Sequence, residues 1–284
     1  MTYQTEEEHH ARSNFVRGLV QRTQGTFSEC SDFAKRPPKR IVQFWNDLEH
    51  LPEDVKECIE SWNVLENQNF EHLLFDENQA RDYIRINFGQ KHENAYLKCY
   101  HPAMQSDYFR LCYILNDGGC YVDADDVFNG HAIQHLFEDS RLKIQPLCYD
   151  ITTDNMISSE IFTKPGVTES SWIFYFNNNP LIAGSGHPVI ERALSQATAT
   201  LEGMAPHRLS EIQSTTGPGN LTKSIFNAVN KNIEIRKALL ILNDWENVAT
   251  SRWPLSYRND ERNWRLSNQR DYRKSKKLND MGDK

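Results

Sequence analysis

The chain of 284 residues has no apolar run near the roughly 18 residues that a membrane-spanning helix needs, and no charged-then-apolar leader opens it. Basic residues are not in excess either, since the formal net charge is −7. A protein that binds nucleic acid through a basic groove has the opposite balance. We therefore expect a soluble, cytoplasmic protein with no transmembrane segment and no nucleic-acid partner.

Paired cysteines and internal repeats are also missing. The six cysteines are scattered without any CxxC spacing, which argues against a zinc site or a disulfide scaffold. No repeat and no low-complexity segment is visible. The length is enough for one large domain or two small ones with a substantial core.

The most informative stretch is SDYFRLCYILNDGGCYVDADDVF, residues 106–128. Its apolar residues at helical spacing, Leu111, Ile114 and Leu115, predict a helix with one buried stripe. Asp107 and Arg110 lie one turn apart on a neighbouring face of that helix, where a solvated ion pair is the ordinary interpretation.

A glycine turn and a short strand follow the helix. Gly118 and Gly119 are suited to the left-handed conformation that ends a helix, and residues 120–122 are apolar and β-prone. In an extended chain, Asp123 and Asp125 then project to one side and Asp126 to the other. Two such carboxylates repel each other unless a cation or a proton lies between them, and oxygen ligands suit Mg²⁺ or Mn²⁺. The pattern predicts a site for a metal-bound diphosphate, with a polar turn after a buried strand as the alternative.

The whole stretch resembles the sugar-binding region of the DXD-motif glycosyltransferases, specifically glycosyltransferase family 32 and, more distantly, the glucosylating clostridial toxins. That family has Ser-Asp, an arginine three residues on, an apolar helix, Gly-Gly, a short strand and Asp-X-Asp. The matching positions here are Ser106, Asp107, Arg110, Gly118, Gly119, Tyr121, Asp123 and Asp125. The resemblance implies an α/β, GT-A-like nucleotide-sugar-binding fold with a mixed central sheet flanked by helices.

The preceding residues fit an α/β sheet. Residues 39–45 and 70–75 are predicted strands, separated by a helix that Pro52 opens and followed by a helix that Asp76 caps. Ligands bind beyond the carboxyl ends of such strands, so Trp45, Asp123 and Asp125 are expected to share a pocket. Trp45 matches a family tryptophan that lies near the nucleotide base, and a core tryptophan is the equally weighted alternative.

Two later positions are further candidates for donor binding. Residues 171–176 are predicted to be an aromatic strand, and in the asparagine run that follows, Asn178 or its neighbour Asn177 either faces the sugar or forms a turn. Gly217 lies in a Thr-Gly-Pro segment that resembles an active-site loop of the family, with a plain turn as the alternative. The family's late metal ligand has no clean copy, and residues 246–253 and 260–264 are the candidates.

The resemblance implies transfer of a hexose, with retention of configuration, from a nucleotide diphosphate sugar to an acceptor hydroxyl. A UDP-sugar is the favoured donor, and a glycan, a lipid or a protein is the acceptor, with polysaccharide biosynthesis as one setting. Asp125 is expected to bind Mn²⁺ or Mg²⁺ directly, and Asp123 to contact the metal through water as well as the ribose or sugar. Asp107 and Arg110 are expected to hold the sugar hydroxyls. Since no protein nucleophile is evident, same-face attack by the acceptor is favoured.

Two other functions stay open: a phosphatase that uses Asp-X-Asp as nucleophile and acid, and a nucleotide-sugar-binding protein without catalysis. We predict an N-terminal helical or partly disordered arm over 1–38, a single catalytic domain over 39–265 and a basic tail over 266–284. The basic tail leaves peripheral membrane contact open, with a solubilising tail as the simpler interpretation.

Overall fold

The computed structural model describes residues 3–22, 34–205 and 208–272. Cys30, most of the basic run 270–277 and the end of the tail lie outside these residues. The helices are α1 (Tyr3–Val20), α2 (Glu53–Glu60), α3 (Glu77–Leu97), α4 (Pro102–Asn116), α5 (Ser159–Phe162), α6 (Pro188–Glu202), α7 (Ile212–Thr215), α8 (Pro218–Lys231), α9 (Trp245–Val248) and α10 (Trp264–Ser267). The strands are β1 (Arg40–Phe44), β2 (Glu71–Phe75), β3 (Gly119–Tyr121), β4 (Asp126–Phe128), β5 (Leu142–Asp150), β6 (Asn155–Met156), β7 (Trp172–Ala183), β8 (Leu239–Ile241) and β9 (Ala249–Ser251). The 3-10 helices span Ser61–Gln68, Gln134–Phe137, Ile233–Ala238 and Ser256–Asn259.

The central sheet is mixed, as predicted. Its order is β2-β1-β3-β7-β5-β6, and β8 pairs with β5. The strands β2, β1 and β3 are parallel, whereas β7 runs antiparallel to both β3 and β5. The carboxyl ends of β1 and β3 therefore meet at one edge, which brings the residues after each strand together.

Helices cover both faces of this sheet. Alternate residues of a strand enter different clusters: Val42 packs with α1, α4, α6 and α8, while its neighbour Ile41 packs with Trp62 and Trp245 on the other face. A strand that is buried on both faces has a continuously apolar sequence, and β3 is an example. The mixed α/β fold with a helix-flanked central sheet is thus confirmed.

The helix ends follow the signals in the sequence. Asp76 forms a capping box with Gln79 at the start of α3. The helix α4 ends at Asn116, and Gly118 takes a positive φ of 73° immediately after it. An added Cβ on Gly118 would come within 2.9 Å of the Ala183 carbonyl oxygen, so the turn requires glycine for space as well as for conformation.

The expected alternation of the carboxylates is wrong. After β3 the chain does not stay extended, because the Asp126 N–H donates to the Asp123 carbonyl oxygen at 3.1 Å and closes a tight turn. Ala124 and Asp125 occupy the corners of that turn. The three carboxylates therefore point in directions set by the turn and not by a strand.

The asparagine run also differs from a simple turn. Residues 177–179 lie inside β7, at the point where its pairing with β5 shifts: Ile144 pairs with Leu181, but Pro146 pairs with Phe176. A bulge of this kind bends a strand and redirects its side chains. Here it turns the asparagine side chains toward the end of β3.

The N-terminal helix α1 contributes Val16 and Val20 to the core, where both are buried against the face that also contains α8. In the described part of the chain, no helix combines the length and the apolar character that crossing a bilayer requires.

Candidate active site

A cavity of about 690 Å³ opens at the carboxyl edge of β1 and β3. Most of the predicted site residues line it: Trp45, Asp107, Arg110, Asp123, Asp125 and Asn178. Gly217 is not among the lining residues. It packs behind Asp107, where an added Cβ would come within 3.0 Å of Asp107 Oδ2.

Asp107 and Arg110 form the buried floor of this cavity. The Asp107 carboxylate accepts from Asn178 Nδ2 at 2.7 Å and from Thr216 Oγ1 at 3.3 Å, and it lies 3.2 Å from Arg110 Nη2. Burial raises the pKa of Asp107, although the Arg110 guanidinium opposes that shift. The solvated helix-surface pair, the ordinary interpretation of this spacing, is therefore wrong, because both side chains are buried; their expected contact with sugar hydroxyls stays a prediction.

Arg110 joins the floor to the turn of residues 123–126, called the acidic turn below. Its Nη2 donates to Asp123 Oδ1 at 2.7 Å, and its Nη1 donates to the Asn178 carbonyl oxygen at 2.8 Å. The guanidinium carbon lies 4.2 Å from the centre of the Tyr121 ring. With a side chain only 3% exposed, Arg110 is a fixed internal cation whose donors are committed to the protein.

Asp126 and Asn179 hold the acidic turn from behind. Asn179 Oδ1 accepts from the Asp123 N–H at 3.1 Å, and Asn179 Nδ2 donates to Asp126 Oδ2 at 2.8 Å. Burial, together with the nearby Asp125 and Asp123 carboxylates, raises the pKa of Asp126 well above its usual range. Sequence reasoning missed the role of Asn179, and only the bulge position in β7 reveals it.

Asp123 and Asp125 face the cavity with different partners. Desolvation raises the pKa of Asp123 to about 6, the paired Arg110 guanidinium opposes that shift, and the Asp125 carboxylate adds to it. Asp125 Oδ2 accepts from the Tyr257 hydroxyl at 2.7 Å and forms an ion pair with Arg258. Neither Tyr257 nor Arg258 was identified from the sequence, because they follow the acidic turn by more than 130 residues.

The C-terminal segment reaches the turn through a small second sheet. Strand β9 pairs antiparallel with β4, so Ser251 lies opposite Asp126. The Arg252 N–H also donates to the Asp125 carbonyl oxygen at 2.9 Å. Both candidate segments for a late metal ligand, residues 246–253 and 260–264, contribute to the cavity lining, including Glu246, Ser251 and Asn263.

Trp45 lines the cavity but is mostly covered, and it also belongs to a small core cluster with Val55 and Ile59. It is 8% exposed and packs edge-on against the Tyr257 ring, with 5.2 Å between ring centres. Sequence reasoning placed this tryptophan either in the core or beside a nucleotide base. Its position at the end of β1, in the same cavity as Asp123 and Asp125, meets the geometric condition for the second interpretation.

The donor set suits a hard divalent cation. Asp125 is already paired with a positive group, the Arg258 guanidinium. The acidic residues around it offer only oxygen ligands, the type that Mg²⁺ and Mn²⁺ take. Within residues 3–22, 34–205 and 208–272, no three His, Cys, Asp or Glu side chains are grouped so as to enclose a metal ion. A bound ion would therefore depend on a ligand's phosphate oxygens and on water, as Mg²⁺ commonly does.

Comparison with known families agrees with this geometry. Residues 52–143 match the model of the glycosyltransferase sugar-binding region containing a DXD motif, over about a third of the chain. That segment includes Asp107, Arg110, Asp123 and Asp125. The resemblance predicted from the sequence is thus confirmed for this segment, and the match supports the prediction that the protein is a transferase.

Other comparisons are more distant. A solved structure described as the PaToxG glycosyltransferase is similar to this chain with 13% sequence identity and a TM-score of 0.46, covering 92% of this chain and 94% of the other. No curated protein matches the chain significantly.

Proposed function

We infer that the protein is a metal-dependent glycosyltransferase with a GT-A-like catalytic domain. It would move a hexose, with retention of configuration, from a nucleotide diphosphate sugar to an acceptor hydroxyl. The observation that carries this proposal is that one cavity contains Trp45, the Asp107–Arg110 pair and both acids of the DXD motif. The family match over residues 52–143 supports the assignment of that motif to sugar binding.

The floor of the cavity is suited to holding a sugar in one orientation. The partners of Asp107, which include Asn178 and Thr216, fix its carboxylate, so that it presents acceptors without reorganising. Arg110 keeps Asp123 in place through a charge-assisted hydrogen bond. A donor sugar at this floor would meet preset polar groups, which reduces the entropy lost on binding.

Asp125 is the residue proposed to bind Mn²⁺ or Mg²⁺, with Asp123 in its outer shell. When bound, such an ion would neutralise charge on the departing diphosphate. Trp45 is proposed to stack on the base, and UDP is the favoured nucleotide. Outside the acidic turn and Asp107, the carboxylate of the cavity lining is that of Glu246, whose oxygens accept from Gln145 Nε2 and Ser159 Oγ at 3.1 Å each. We therefore propose same-face attack by the acceptor, and not a protein nucleophile, as the route to retention.

The decisive test replaces Asp125 by Asn. Purified protein is incubated with Mn²⁺ and, in turn, UDP-glucose, UDP-galactose, UDP-GlcNAc and GDP-mannose, and release of the nucleoside diphosphate is measured. We expect one donor to be turned over and the D125N variant to lose at least 100-fold of that rate, because removal of a group that stabilises transition-state charge has roughly this effect.

The matched control is Asp82→Asn, which removes an equal charge from an exposed ion pair with Arg85 on α3. Its turnover should equal that of the wild type. Turnover of D125N near the wild-type rate would overturn the assignment of the metal site. Release of phosphate from p-nitrophenyl phosphate, with no nucleotide sugar consumed, would instead favour the Asp-X-Asp phosphatase, and nucleotide binding without turnover would favour a binding protein.

A further inference from the structure

The acidic turn has a positive partner of its own within the chain. Asp125 Oδ2 accepts both from the Tyr257 hydroxyl and from the Arg258 guanidinium. Both side chains come from the 3-10 helix Ser256–Asn259, which lies against the cavity. This oxygen of the Asp125 carboxylate is therefore already in use.

Arg258 is held less completely than Arg110. All three nitrogens of Arg110 donate to protein oxygens. For Arg258 only Nη2 is bonded, to Asp125 and weakly to Ser251 Oγ at 3.4 Å, while Nε is buried without a hydrogen-bond partner among the described residues. Its plane instead packs on the Trp253 ring, with the guanidinium carbon 3.5 Å from the ring centre. A buried donor without a partner costs free energy, so it lowers the stability of the arrangement in which Arg258 is paired with Asp125.

A metal ion and this guanidinium cannot share Asp125 Oδ2 in the geometry that each needs. Mg²⁺ coordinates oxygen at about 2.0–2.1 Å, so an ion that binds Oδ2 takes the place of the Arg258 guanidinium. An ion that binds the other oxygen, Oδ1, puts a second positive charge on a carboxylate that Arg258 already neutralises, and the two cations repel each other. In either position Arg258 opposes the binding of a divalent ion to Asp125.

We propose that Arg258 is the resident counter-charge of Asp125 and that a divalent cation competes with it and displaces it. Because Tyr257 is the adjacent residue and covers Trp45, that displacement also moves the ring that lies over the proposed base site. Arg258 is thus a positioning residue that couples arrival of the metal to exposure of Trp45. This inference rests on the proposed function, since it takes Asp125 as the metal ligand.

Polar contacts show which part can move. The 3-10 helix is attached to α2 at its first residue, where the Ser256 N–H and Oγ bond to the Asp54 carboxylate at 2.6 and 2.9 Å. The upstream residue Arg252 pairs with Glu57 at 2.6 Å. These two contacts do not involve Asp125, so the segment remains attached to α2 when Arg258 leaves the acidic turn.

The test is the affinity for Mn²⁺ alone, measured by the electron paramagnetic resonance signal of free Mn²⁺ in a titration of the full chain. Arg258→Gln removes the competitor, so the competent fraction of Asp125 rises and Kd should fall by roughly tenfold, the range expected for loss of a competing hydrogen bond to a charged group. A gain of affinity cannot result from damage to the fold. Arg258→Met, which keeps an apolar stem on Trp253, is measured in parallel in case the glutamine variant unfolds.

Arg262→Gln is the matched control, because Arg262 lies four residues further on, lines the same cavity and pairs with Asp260 instead of Asp125. It removes the same charge, so its Kd should change by less than about twofold if contact and not long-range charge matters. Equal tightening in both arginine variants, or no tightening in R258Q and R258M, would overturn the inference. If the wild type binds Mn²⁺ no better than Asp125→Asn does, the proposed metal site itself fails.

Discussion

Two walls of the cavity are built by different means. The inner wall consists of α4, β3 and β7, and its polar groups bond to one another inside the core, with Asp107 and Arg110 each less than 10% exposed. The outer wall consists of residues 245–265, which form short helices, one short strand and a 3-10 helix, and it includes Trp253 at 56% exposure. The polar groups of the inner wall are bonded within the core. In the outer wall, Trp245 and Ala249 are also buried in a core cluster, but residues 252–258 are attached through polar contacts to α2 and to the acidic turn.

This difference separates two tasks that a transferase site has to perform. Groups that orient a sugar benefit from a preset network, because little reorganisation is then needed on binding. Groups that admit a charged donor and release a charged product benefit from contacts that exchange with solvent or ligand. The acidic turn joins the two walls, with Asp123 bonded to the inner one and Asp125 to the outer one.

Removal of the arginine of each wall should have the largest effect on stability. Arg110→Ala leaves Asp107 without a buried cation and Asp123 without its partner, and loss of one member of a buried pair costs roughly 3–5 kcal/mol. Arg258→Ala leaves Asp125 with the Tyr257 hydroxyl as a partner, so its cost should be smaller, about 1.5–3 kcal/mol, as for loss of one hydrogen bond to a charged group. Urea unfolding of both variants measures the free energies. Equal costs would mean that the two walls are held in the same way.

Low pH should destabilise the fold through His187, at the start of the helix α6 that packs against α4 of the inner wall. His187 is fully buried at the start of α6, where its Nδ1 accepts from the Val189 N–H at 3.3 Å, and burial lowers its pKa to about 4. Since the unfolded chain binds this proton near pH 6.5 and the folded chain only near pH 4, stability is complete above 6.5 and falls as the pH drops between these values. The loss amounts to about 3 kcal/mol at the lower end of that range.

The matched variant is His187→Asn, which keeps a capping acceptor but does not titrate. The acids Asp107, Asp123 and Asp126 have raised pKa values and change stability in the opposite direction, so the informative quantity is the difference between the variant and the wild type at each pH. Guanidinium unfolding between pH 7 and pH 4.5 gives that difference. A constant difference would show that His187 does not carry the acid sensitivity.

The sequence was most informative where signals are local. The glycine turn at Gly118, the capping box at Asp76 and the order of the first strands and helices follow from short-range patterns that the structure contains. The acidic motif was found, but its geometry was not, because a turn replaces the expected strand at Asp123. The side chain of Asn179, which is distant in the sequence and lies at a bulge, bonds both ends of that turn.

The outer wall was the part least accessible to prediction. Residues 246–253 and 260–264 were recognised only as places where a late ligand was needed, and Tyr257 and Arg258 between them were passed over. Nothing in their local pattern marks them, since a tyrosine and an arginine in a polar stretch are ordinary surface residues. Their role arises from the β4–β9 pairing, a long-range contact that periodicity does not encode.

Removal of one hydroxyl group from each wall should change the stability least, but still by different amounts in the two walls. Tyr108→Phe removes an inner group that bonds both Thr198 Oγ1 at 2.7 Å and His92 Nδ1 at 2.9 Å in the core, and should cost about 1–2 kcal/mol. Tyr257→Phe removes one bond to Asp125, keeps the ring against Trp45 and leaves Asp125 paired with Arg258, so it should cost less than about 1 kcal/mol. Thermal unfolding under identical conditions ranks the two. If Tyr257→Phe proves the more destabilising variant, the outer wall is a structural support in its own right, and the exchange of its contacts on ligand binding becomes untenable.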